Sequence, residues 1–495
     1  MSDFLNNLPE VFVSDTEMSA SVYQAIEQGK LKKIGSRLYT QNLQDDPETI
    51  VKRNWYHLLK AYYSDAIISD RTAIENKPAK DGSVFIISSK KRKTELPGIT
   101  FNPRKGHREL ESDRDFINGI KLSSIPRAFL ENMKPSRARG SISRTLSKEE
   151  IEVRLDRYLR QRGEETLNKL RDDAYQVSQE LKMTEEYKKL DELIGSLFGT
   201  RDSKVISDTA IARKAGVPFD PDRLDVLTEL FVKLKETAPV LRSARNMNQQ
   251  EKTNLSFFEA YFSNFIEGTE FEVEEAADIV FNNAIPAERP EDAHDVLRTF
   301  RIVSNYDEMS VLPEDFDHFI HLLKKRHAIF MEQRPSKKPG EFKKKANVAG
   351  NTHFVAPDLV MGTLKKGFEI YRGLEEPFHK AVYMMFLVSE VHPFSDGNGR
   401  AARIMMNAEL VGADEQKIII PTIYRSNYLS ALKALTQSQM PNAIIRTLDF
   451  GQKYTSSIDW SDYDTAQVML NETNAFMDST IADNQGVRLR LPNQS

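Results

Sequence analysis

The strongest constraint on the fold is an apolar segment in the last quarter of the chain. Residues Phe378–Val391 include the unbroken apolar run Ala381–Val388, and their composition predicts a helix that is buried on most sides. A loop then leads into a second predicted helix that includes Ala401–Leu410. Because the rest of this half of the chain also has mostly helical spacing, the sequence predicts a mainly α fold.

Composition excludes several classes of site. The 495 residues include no cysteine, which excludes disulfides, thiolate zinc sites, iron–sulfur clusters and cysteine nucleophiles. The first residues, MSDFLNNLPEVF, lack a basic segment followed by an apolar one. The longest apolar run is also far shorter than the roughly 18 residues that a membrane span needs. We therefore expect a cytoplasmic protein without a secretory signal or membrane association.

Charge is distributed unevenly. The formal net charge is −4, which argues against a bulk electrostatic attraction to nucleic acid. Residues 1–140 nevertheless carry a balance of +5, so the remaining residues carry −9. The front of the chain is thus the part with a mild basic character.

Local patterns divide the chain into four parts. Leu31–Thr40 has the pattern of a hairpin with a Gly-Ser turn, Pro135–Ser143 has the composition of a linker, and Ser147–Glu150 is a capping box that begins a helix. We predict a small α+β domain at 1–135, a helical connector at 136–245, a helical domain at 246–455 that contains the motif described below, and a C-terminal extension at 456–495.

The chemistry is concentrated in the string HPFSDGNGRAAR, which occupies His392–Arg403. Gly397 and Gly399 permit backbone conformations in which consecutive N–H groups form an anion nest. The helix that follows adds its positive N-terminal end. This combination predicts a phosphate-binding loop.

Side chains of the same string suit the transfer of a phosphoryl or nucleotidyl group. Arg400 and Arg403 are three residues apart on the predicted helix and could reach one polyphosphate. Asp396 beside the nest is able to hold Mg²⁺, and His392 has a near-neutral pKa suited to general-base work.

The full string matches HPF-x-[DE]-GNGR-x-x-R, and the chain therefore resembles the Fic (Fido) family. Fic proteins transfer AMP from ATP to a Ser, Thr or Tyr hydroxyl of a target protein. The resemblance implies a Fic-type helical core with a β-hairpin flap, with His392 as general base and Asp396 as Mg²⁺ ligand. It also implies a phosphate nest and two phosphate-binding arginines, namely Gly397, Asn398, Gly399, Arg400 and Arg403.

Two further segments agree with this resemblance. The segment RSNYLSAL at Arg425–Leu432 is similar to the family segment whose tyrosine, here Tyr428, lines the adenine pocket. Glu341–Val355 has the pattern of a hairpin and lies where the family has its flap. The flap residues expected against ATP are Asn347, Val348, Ala349 and Gly350.

A second motif resembles the family's inhibitory pattern [ST]-x-x-x-E-[GN]. It reads Ser263 to Gly268, on a predicted inhibitory helix at 255–268. A carboxylate on a packed helix can pair with an arginine and take it away from a phosphate. The resemblance implies that Glu267 pairs with Arg403 and restrains AMP transfer.

The sequence leaves alternative functions open. With Glu267 beside the nest, the same site could instead remove AMP from a modified protein. Residues 1–135 resemble, over IEQGKLKKIGSRLYT and SSIPRAFLENM, the N-terminal region of AbiEi-type antitoxins, which bind DNA through a winged helix. A mainly regulatory protein that binds DNA or a partner through this domain is therefore an alternative, and a homodimer is left open as well.

The remaining histidines give no metal site. His318 and His321 are three residues apart on a predicted helix, and His327 follows nearby, but a metal site needs carboxylates or a defined third ligand. We expect these histidines to lie on an exposed helix face.

Overall fold

The computed structural model describes residue 5 and residues 8–137, 142–238, 240–244, 246–350 and 352–492. The chain divides into two compact units, Met1–Gly216 and Val217–Ser495. The division falls inside the predicted connector, 136–245, and the four-part division of the sequence stays a prediction. Residues 138–141 of the predicted linker Pro135–Ser143 lie outside the described residues. Within the described part of the chain, no helix is both long and apolar enough to cross a membrane.

The first unit begins with two small sheets. The first is antiparallel, with strand order β1-β3-β2, and the second is a mixed sheet of order β6-β7-β5-β4-β9-β8. The hairpin predicted at Leu31–Thr40 is confirmed as β2 and β3. The strands are β1 (Val11–Val13), β2 (Lys32–Gly35), β3 (Leu38–Thr40), β4 (Ile67–Ile68), β5 (Ser83–Ile87), β6 (Thr94–Leu96), β7 (Ile99–Arg104), β8 (Arg114–Asp115) and β9 (Lys121–Leu122).

Helices complete the first unit. The capping box predicted at Ser147 is confirmed: its Oγ accepts the Glu150 N–H at 3.1 Å, and the Glu150 carboxylate accepts the Ser147 N–H at 2.7 Å. The longest helix is interrupted at Gly163, where φ is 80°. The helices are Ser19–Glu27, Pro47–Arg53, Trp55–Tyr62, Asp70–Glu75, Ile117–Gly119 (3₁₀), Ile125–Asn132, Lys148–Leu181, Thr184–Leu197 and Asp208–Lys214.

The second unit is almost entirely helical, as the sequence predicts. Its α-helices are Pro221–Glu236, Gln249–Ile266, Val273–Phe281, Pro290–Val303, Tyr306–Met309, Phe316–Phe330, Val360–Tyr371, Pro377–Val391, Asn398–Val411, Arg425–Ser438, Pro441–Ser457, Tyr463–Glu472 and Ser479–Gln485. Three short 3₁₀ helices lie at Pro335–Lys337, Pro357–Leu359 and Thr422–Tyr424.

The helices Pro377–Val391 and Asn398–Val411 form the centre of the second unit. Nearly every side chain of both is buried, including the run Ala381–Val388. Their apolar atoms can leave water only when other helices cover them on all sides, and this requirement fixes the position of the loop between them. The prediction of a buried helix is therefore confirmed, and the loop is held by the core of the unit.

A short β-hairpin precedes these two helices in the sequence. β10 (Val348–Ala349) pairs antiparallel with β11 (Thr352–His353), inside the predicted flap Glu341–Val355. Gly350 has φ of 58°, a left-handed conformation that favours glycine at the turn. Its neighbour Asn351 lies outside the described residues.

The core predicts a large difference between two neighbouring positions of helix Val360–Tyr371. Leu364 is fully buried in the core, whereas Lys365 is exposed. Leu364→Ala should lower the free energy of unfolding by about 2–5 kcal/mol, because the cavity left behind cannot be refilled. Lys365→Ala, the matched control, should change it by less than about 0.5 kcal/mol. Urea unfolding followed through Trp460 fluorescence, with Trp55 replaced by Phe in every chain, measures both, and equal effects would contradict the described packing.

Candidate active site

The motif lies where helix Pro377–Val391 gives way to helix Asn398–Val411, which we call the motif helix; residues 392–397 are the motif loop. His392 ends the first helix with φ of 53°, and Gly397 has φ of 73° just before the second. The motif helix begins three residues earlier than the predicted Ala401. Its first turn thus includes Asn398 and Gly399, which the sequence prediction left in the loop.

The Asn398 side chain fixes the shape of the motif loop. Its Oδ1 accepts the Phe394 N–H at 2.8 Å, and its Nδ2 donates to the Phe394 carbonyl oxygen at 2.9 Å. Both groups are buried, so breaking either bond would leave polar atoms without water. The first N–H groups of the motif helix, which have no partner within the helix, are therefore held in one orientation.

His392 is held in a single tautomer. Its Nδ1 lies 3.2 Å from the Ser389 carbonyl oxygen. Because a carbonyl oxygen only accepts, Nδ1 carries the hydrogen and Nε2 is the basic atom of the ring. The ring stacks on Phe354 with centroids 3.7 Å apart. Burial lowers the pKa of His392 to about 4, and the nearby Lys343 ammonium contributes in the same direction.

Asp396 is partly exposed at the edge of the loop. Its Oδ1 accepts the Gly397 N–H at 2.7 Å, and its Oδ2 lies 3.1 Å from Nζ of Lys337. Burial opposes the ionised form of this carboxyl group, but Lys337 and the Gly397 N–H outweigh it and lower its pKa. Asp396 therefore stays ionised at neutral pH.

The carboxylate of Glu267 pairs with Arg403. Glu267 follows the last residue of helix Gln249–Ile266, which we call the glutamate helix and which begins earlier than the predicted 255–268 segment. Its Oε1 accepts from the Arg403 guanidinium at 2.7 Å. Arg403 also donates to Oγ and the carbonyl oxygen of Ser263, at 3.0 and 2.9 Å. All three contacts come from one end of one helix, so Arg403 is occupied by that helix.

Glu267 also lies against the start of the motif helix. A Cβ placed on Gly399 would be 2.2 Å from the Glu267 Oε1 atom, far inside van der Waals contact. Gly399 therefore has a role beyond conformational freedom, since only glycine lets a carboxylate approach the helix backbone so closely. An oxygen-bearing anion of similar size fits the same position.

Arg400 does not share the position of Arg403. It is buried, and its guanidinium lies 2.8 Å from the carboxylate of Asp295, which is also paired with Arg334 at 2.9 Å. Met331 and Phe330 cover the guanidinium further. In this structure the two guanidinium groups thus have different carboxylate partners, and the prediction that both reach one polyphosphate stays a prediction.

A cavity of about 260 Å³ joins several of these groups. His392, Gly399, Arg403 and Glu267 are among its lining residues. The predicted adenine residue Tyr428 lines it too; its hydroxyl lies 3.3 Å from Met385 Sδ. The remaining walls include Phe354, Phe386, Leu429, Leu432, Lys433, Thr436 and Glu390. Arg400 and Asp396 are not among the lining residues.

The predicted flap residues occupy different positions. Asn347 anchors the base of the flap: its Nδ2 donates to the Phe394 carbonyl oxygen at 2.9 Å, and its Oδ1 accepts from Lys343 Nζ at 2.7 Å. Ala349 lines the cavity, whereas Val348 is half exposed and Gly350 forms the turn. Only one of the four residues thus lines the cavity in this structure.

Sequence reasoning missed three residues that support the site. His327, expected on an exposed face with His318 and His321, is fully buried against the motif loop. His327 is four residues after Leu323 and three before Phe330, which places it on the apolar face of its helix. This spacing could have predicted its burial. Glu390 is the only acidic residue of helix Pro377–Val391 and pairs with Arg223. For Asp295 the sequence carries no signal that separates it from exposed acidic neighbours.

The residues present fit Mg²⁺ only together with a nucleotide. No cluster of three or more metal-ligating side chains occurs among the described residues. Asp396 offers one ionised carboxylate, and Mg²⁺ is commonly bound through one or two carboxylates plus the phosphates of a substrate. Lys337 is 44% exposed at its side chain and is free to leave Asp396 when a cation takes its place.

Comparison with known proteins agrees with this geometry. Residues 317–410 match the model of the Fic/DOC family. This chain contains a Fic domain. It is 30% identical over 134 residues to the protein adenylyltransferase Fic of Drosophila persimilis, which is 26% of either chain. It is 22% identical over 254 residues to the protein of the same name from Drosophila mojavensis, 50% of this chain and 49% of that one. The chain thus spans between a quarter and a half of the length of these curated relatives.

Solved structures with similarity to this Fic-domain chain are distant. A Fic-domain-containing signaling protein from Bacteroides thetaiotaomicron has 16% identity and a TM-score of 0.36, covering 54% of this chain and 98% of its own. The fragment of Fic-1 (residues 134–508) from C. elegans has 16% identity and a TM-score of 0.37, covering 64% and 97%.

The environment of His392 predicts an unusual titration. Its ring should stay neutral down to a pH of about 4, where an ordinary histidine takes up its proton near 6.5. The unfolded chain binds this proton first, so the contribution of His392 to stability is lost as the pH falls from 6.5 towards 4. NMR titration of ring protons, assigned by comparison with His392→Ala, measures the pKa. A value near 6.5 would contradict the described burial.

Proposed function

We propose that this chain transfers AMP from ATP to a hydroxyl group of a target protein and that Glu267 restrains the reaction. The observation that carries the proposal is the shared cavity, which His392, Gly399 at the start of the motif helix and Arg403 all line. A base, an anion site and a cation within one cavity are the parts that nucleotidyl transfer requires.

The polarity of the cavity supports one orientation of the nucleotide. The phosphates bind at the end with Gly399 and Arg403, where backbone N–H groups, the helix dipole and a guanidinium all favour negative charge. The base binds among Tyr428, Leu429 and Leu432 on helix Arg425–Ser438. Aromatic and aliphatic walls of this kind suit a purine ring.

In the proposed reaction, the hydroxyl oxygen of the target forms a bond to the α-phosphorus of ATP. The bond from this phosphorus to the bridging oxygen breaks, and pyrophosphate leaves with the electron pair. The hydroxyl proton passes to Nε2 of His392, which Ser389 keeps free of hydrogen by holding Nδ1–H. The pKa of His392, lowered to about 4, leaves Nε2 unprotonated over the whole neutral range, and it makes the ring a weaker base than the near-neutral histidine that the sequence predicts.

Asp396 is the residue that would hold Mg²⁺, which when bound would neutralise charge on the phosphate oxygens of the nucleotide. Its ionised state and its place beside Gly397 support this role. Arg400 stabilises the same loop through its ion pair with the buried Asp295.

Glu267 supports restraint in two ways. It takes the Arg403 guanidinium that would otherwise bind a terminal phosphate, and its own charge lies against Gly399 where an anion would bind. A like charge in this position repels a phosphate, and an arginine paired with a carboxylate binds a phosphate less strongly. The restraint therefore rests on a single side chain.

Removing this side chain should raise AMP transfer. We expect Glu267→Gly to increase incorporation of label from α-labelled ATP into protein by about ten- to a hundredfold, because an ion-paired hydrogen bond of about 1.5–3 kcal/mol no longer competes with the nucleotide. Glu270→Gly, which removes an exposed carboxylate three residues later, is the matched control and should leave incorporation unchanged. His392→Ala in the Glu267→Gly chain should lower incorporation by about 10²–10⁴-fold. Incorporation that is independent of His392 would overturn the proposal.

Removal of AMP from a modified protein is the second candidate. The observation that favours it is the Glu267 carboxylate itself, which lines the cavity and is 31% exposed, so that it could orient a water molecule. Purified AMP-modified protein separates the two activities. Removal requires that Glu267→Gly abolish the release of AMP, whereas transfer requires that the same change increase labelling.

A further inference from the structure

His327 lies behind the motif loop, outside the cavity. It is on helix Phe316–Phe330 and is fully buried. Its Nδ1 accepts the Gly340 N–H at 2.9 Å, and its Nε2 lies 3.0 Å from the carbonyl oxygen of Asp396. Its ring stacks on Phe394 with centroids 3.6 Å apart and planes 6° from parallel. One side chain thus contacts the motif loop through two different kinds of interaction.

We propose that His327 is a positioning residue: its Nε2–H group orients the Asp396–Gly397 peptide, and through it the phosphate-binding loop. The inference deepens the proposed AMP transfer and rests on it for its functional meaning. His327 touches no substrate and is not a catalytic residue.

The two hydrogen bonds define the tautomer of the ring. A backbone N–H can only donate, so the bond from Gly340 requires that Nδ1 carry no hydrogen. In the neutral ring the hydrogen is then on Nε2, which donates it to the Asp396 carbonyl oxygen. Both ring nitrogens of His327 therefore have a partner: Nδ1 accepts a hydrogen bond and Nε2 donates one.

The carbonyl of Asp396 belongs to the peptide that begins the nest. In a planar trans peptide the C=O and N–H groups point in opposite directions, so fixing the Asp396 carbonyl also fixes the Gly397 N–H. That N–H donates to the Asp396 Oδ1 at 2.7 Å. His327 thereby sets the orientation of the Asp396 carboxylate as well as that of the loop. A Cβ on Gly397 would lie 3.3 Å from Nε2, which shows how closely the loop packs here.

The same histidine ties the root of the flap to the motif loop. Gly340 leads directly into the segment in which Phe342 pairs with Phe394 and the Lys343 N–H donates to the Pro393 carbonyl oxygen at 2.8 Å. Phe394 packs against His327 on one side and Phe342 on the other. The flap root and the phosphate loop therefore share one buried support.

Three substitutions at His327 distinguish a role in positioning the loop from a role in packing alone. Gln carries an amide at the place of Nε2 and can still donate to the Asp396 carbonyl oxygen. Asn carries an amide at the place of Nδ1 and can form a hydrogen bond only with the Gly340 N–H. Phe keeps the ring and its stacking but leaves both backbone groups without a partner. His321→Gln, on the exposed face of the same helix, is the matched control.

The experiment measures AMP transfer by the full-length chain in the Glu267→Gly background, with KM for ATP and kcat determined separately and melting temperature recorded for every variant. We expect His327→Gln to stay within about threefold of the parent chain. His327→Asn and His327→Phe should lose about ten- to a hundredfold in kcat/KM, because a buried carbonyl without a donor lets the loop reorient. If Phe is the least affected variant, or Gln and Asn are equally impaired, the ring acts only in packing and the inference is wrong.

Binding of ADP, measured by calorimetry on the same variants without added metal, provides a readout that needs no turnover. The expected order is the same: Gln close to the parent chain, Asn and Phe weaker by about tenfold or more. If the parent chain transfers no AMP but this order holds, the proposed function fails and the positioning role stands. Equal ADP affinities in all four chains would overturn the positioning role, whatever the activity.

Discussion

The ion pair between Arg403 and Glu267, at 2.7 Å, determines what else the cavity can accept, while further N–H groups of the same guanidinium donate to Ser263. The guanidinium is almost fully buried and cannot obtain compensation from water, so it needs either the carboxylate or a phosphate in the same place. The cavity is therefore built for an anion, and the chain supplies one from its own glutamate helix.

Arg403 and Glu267 are held in place by different parts of the structure. Arg403 is on the motif helix, in the centre of the core, and the loop before it is held by Asn398, His327 and the Arg400–Asp295 ion pair. Glu267 comes after the last turn of the glutamate helix and is followed by Gly268, whose φ of 88° ends the helix. The anion site is thus rigid, whereas the carboxylate that fills it is at the end of a helix. This asymmetry suits the proposed restraint, which has to be released without disturbing the site.

Much of this arrangement follows from local sequence signals. The apolar run Ala381–Val388, the capping box at Ser147 and the glycines of the motif each have a short-range physical cause, and the structure has the corresponding elements where the sequence predicts them. The partner of Arg400 could not be predicted in this way. Arg400 and Arg403 look equivalent in sequence, and only tertiary packing brings Asp295 to one and Glu267 to the other. The burial of His327 had a signal in its helical spacing, but its two backbone partners are 13 and 69 residues away in the chain.

Equilibrium binding of ATP and AMP to the parent chain and to Glu267→Gly tests the competition for Arg403 most directly. ATP carries the terminal phosphates that need the guanidinium, and AMP does not. We expect the substitution to tighten ATP binding by about tenfold or more beyond any change for AMP, which corresponds to one released ion-paired hydrogen bond. An equal change for the two nucleotides, or none for either, would contradict this expectation.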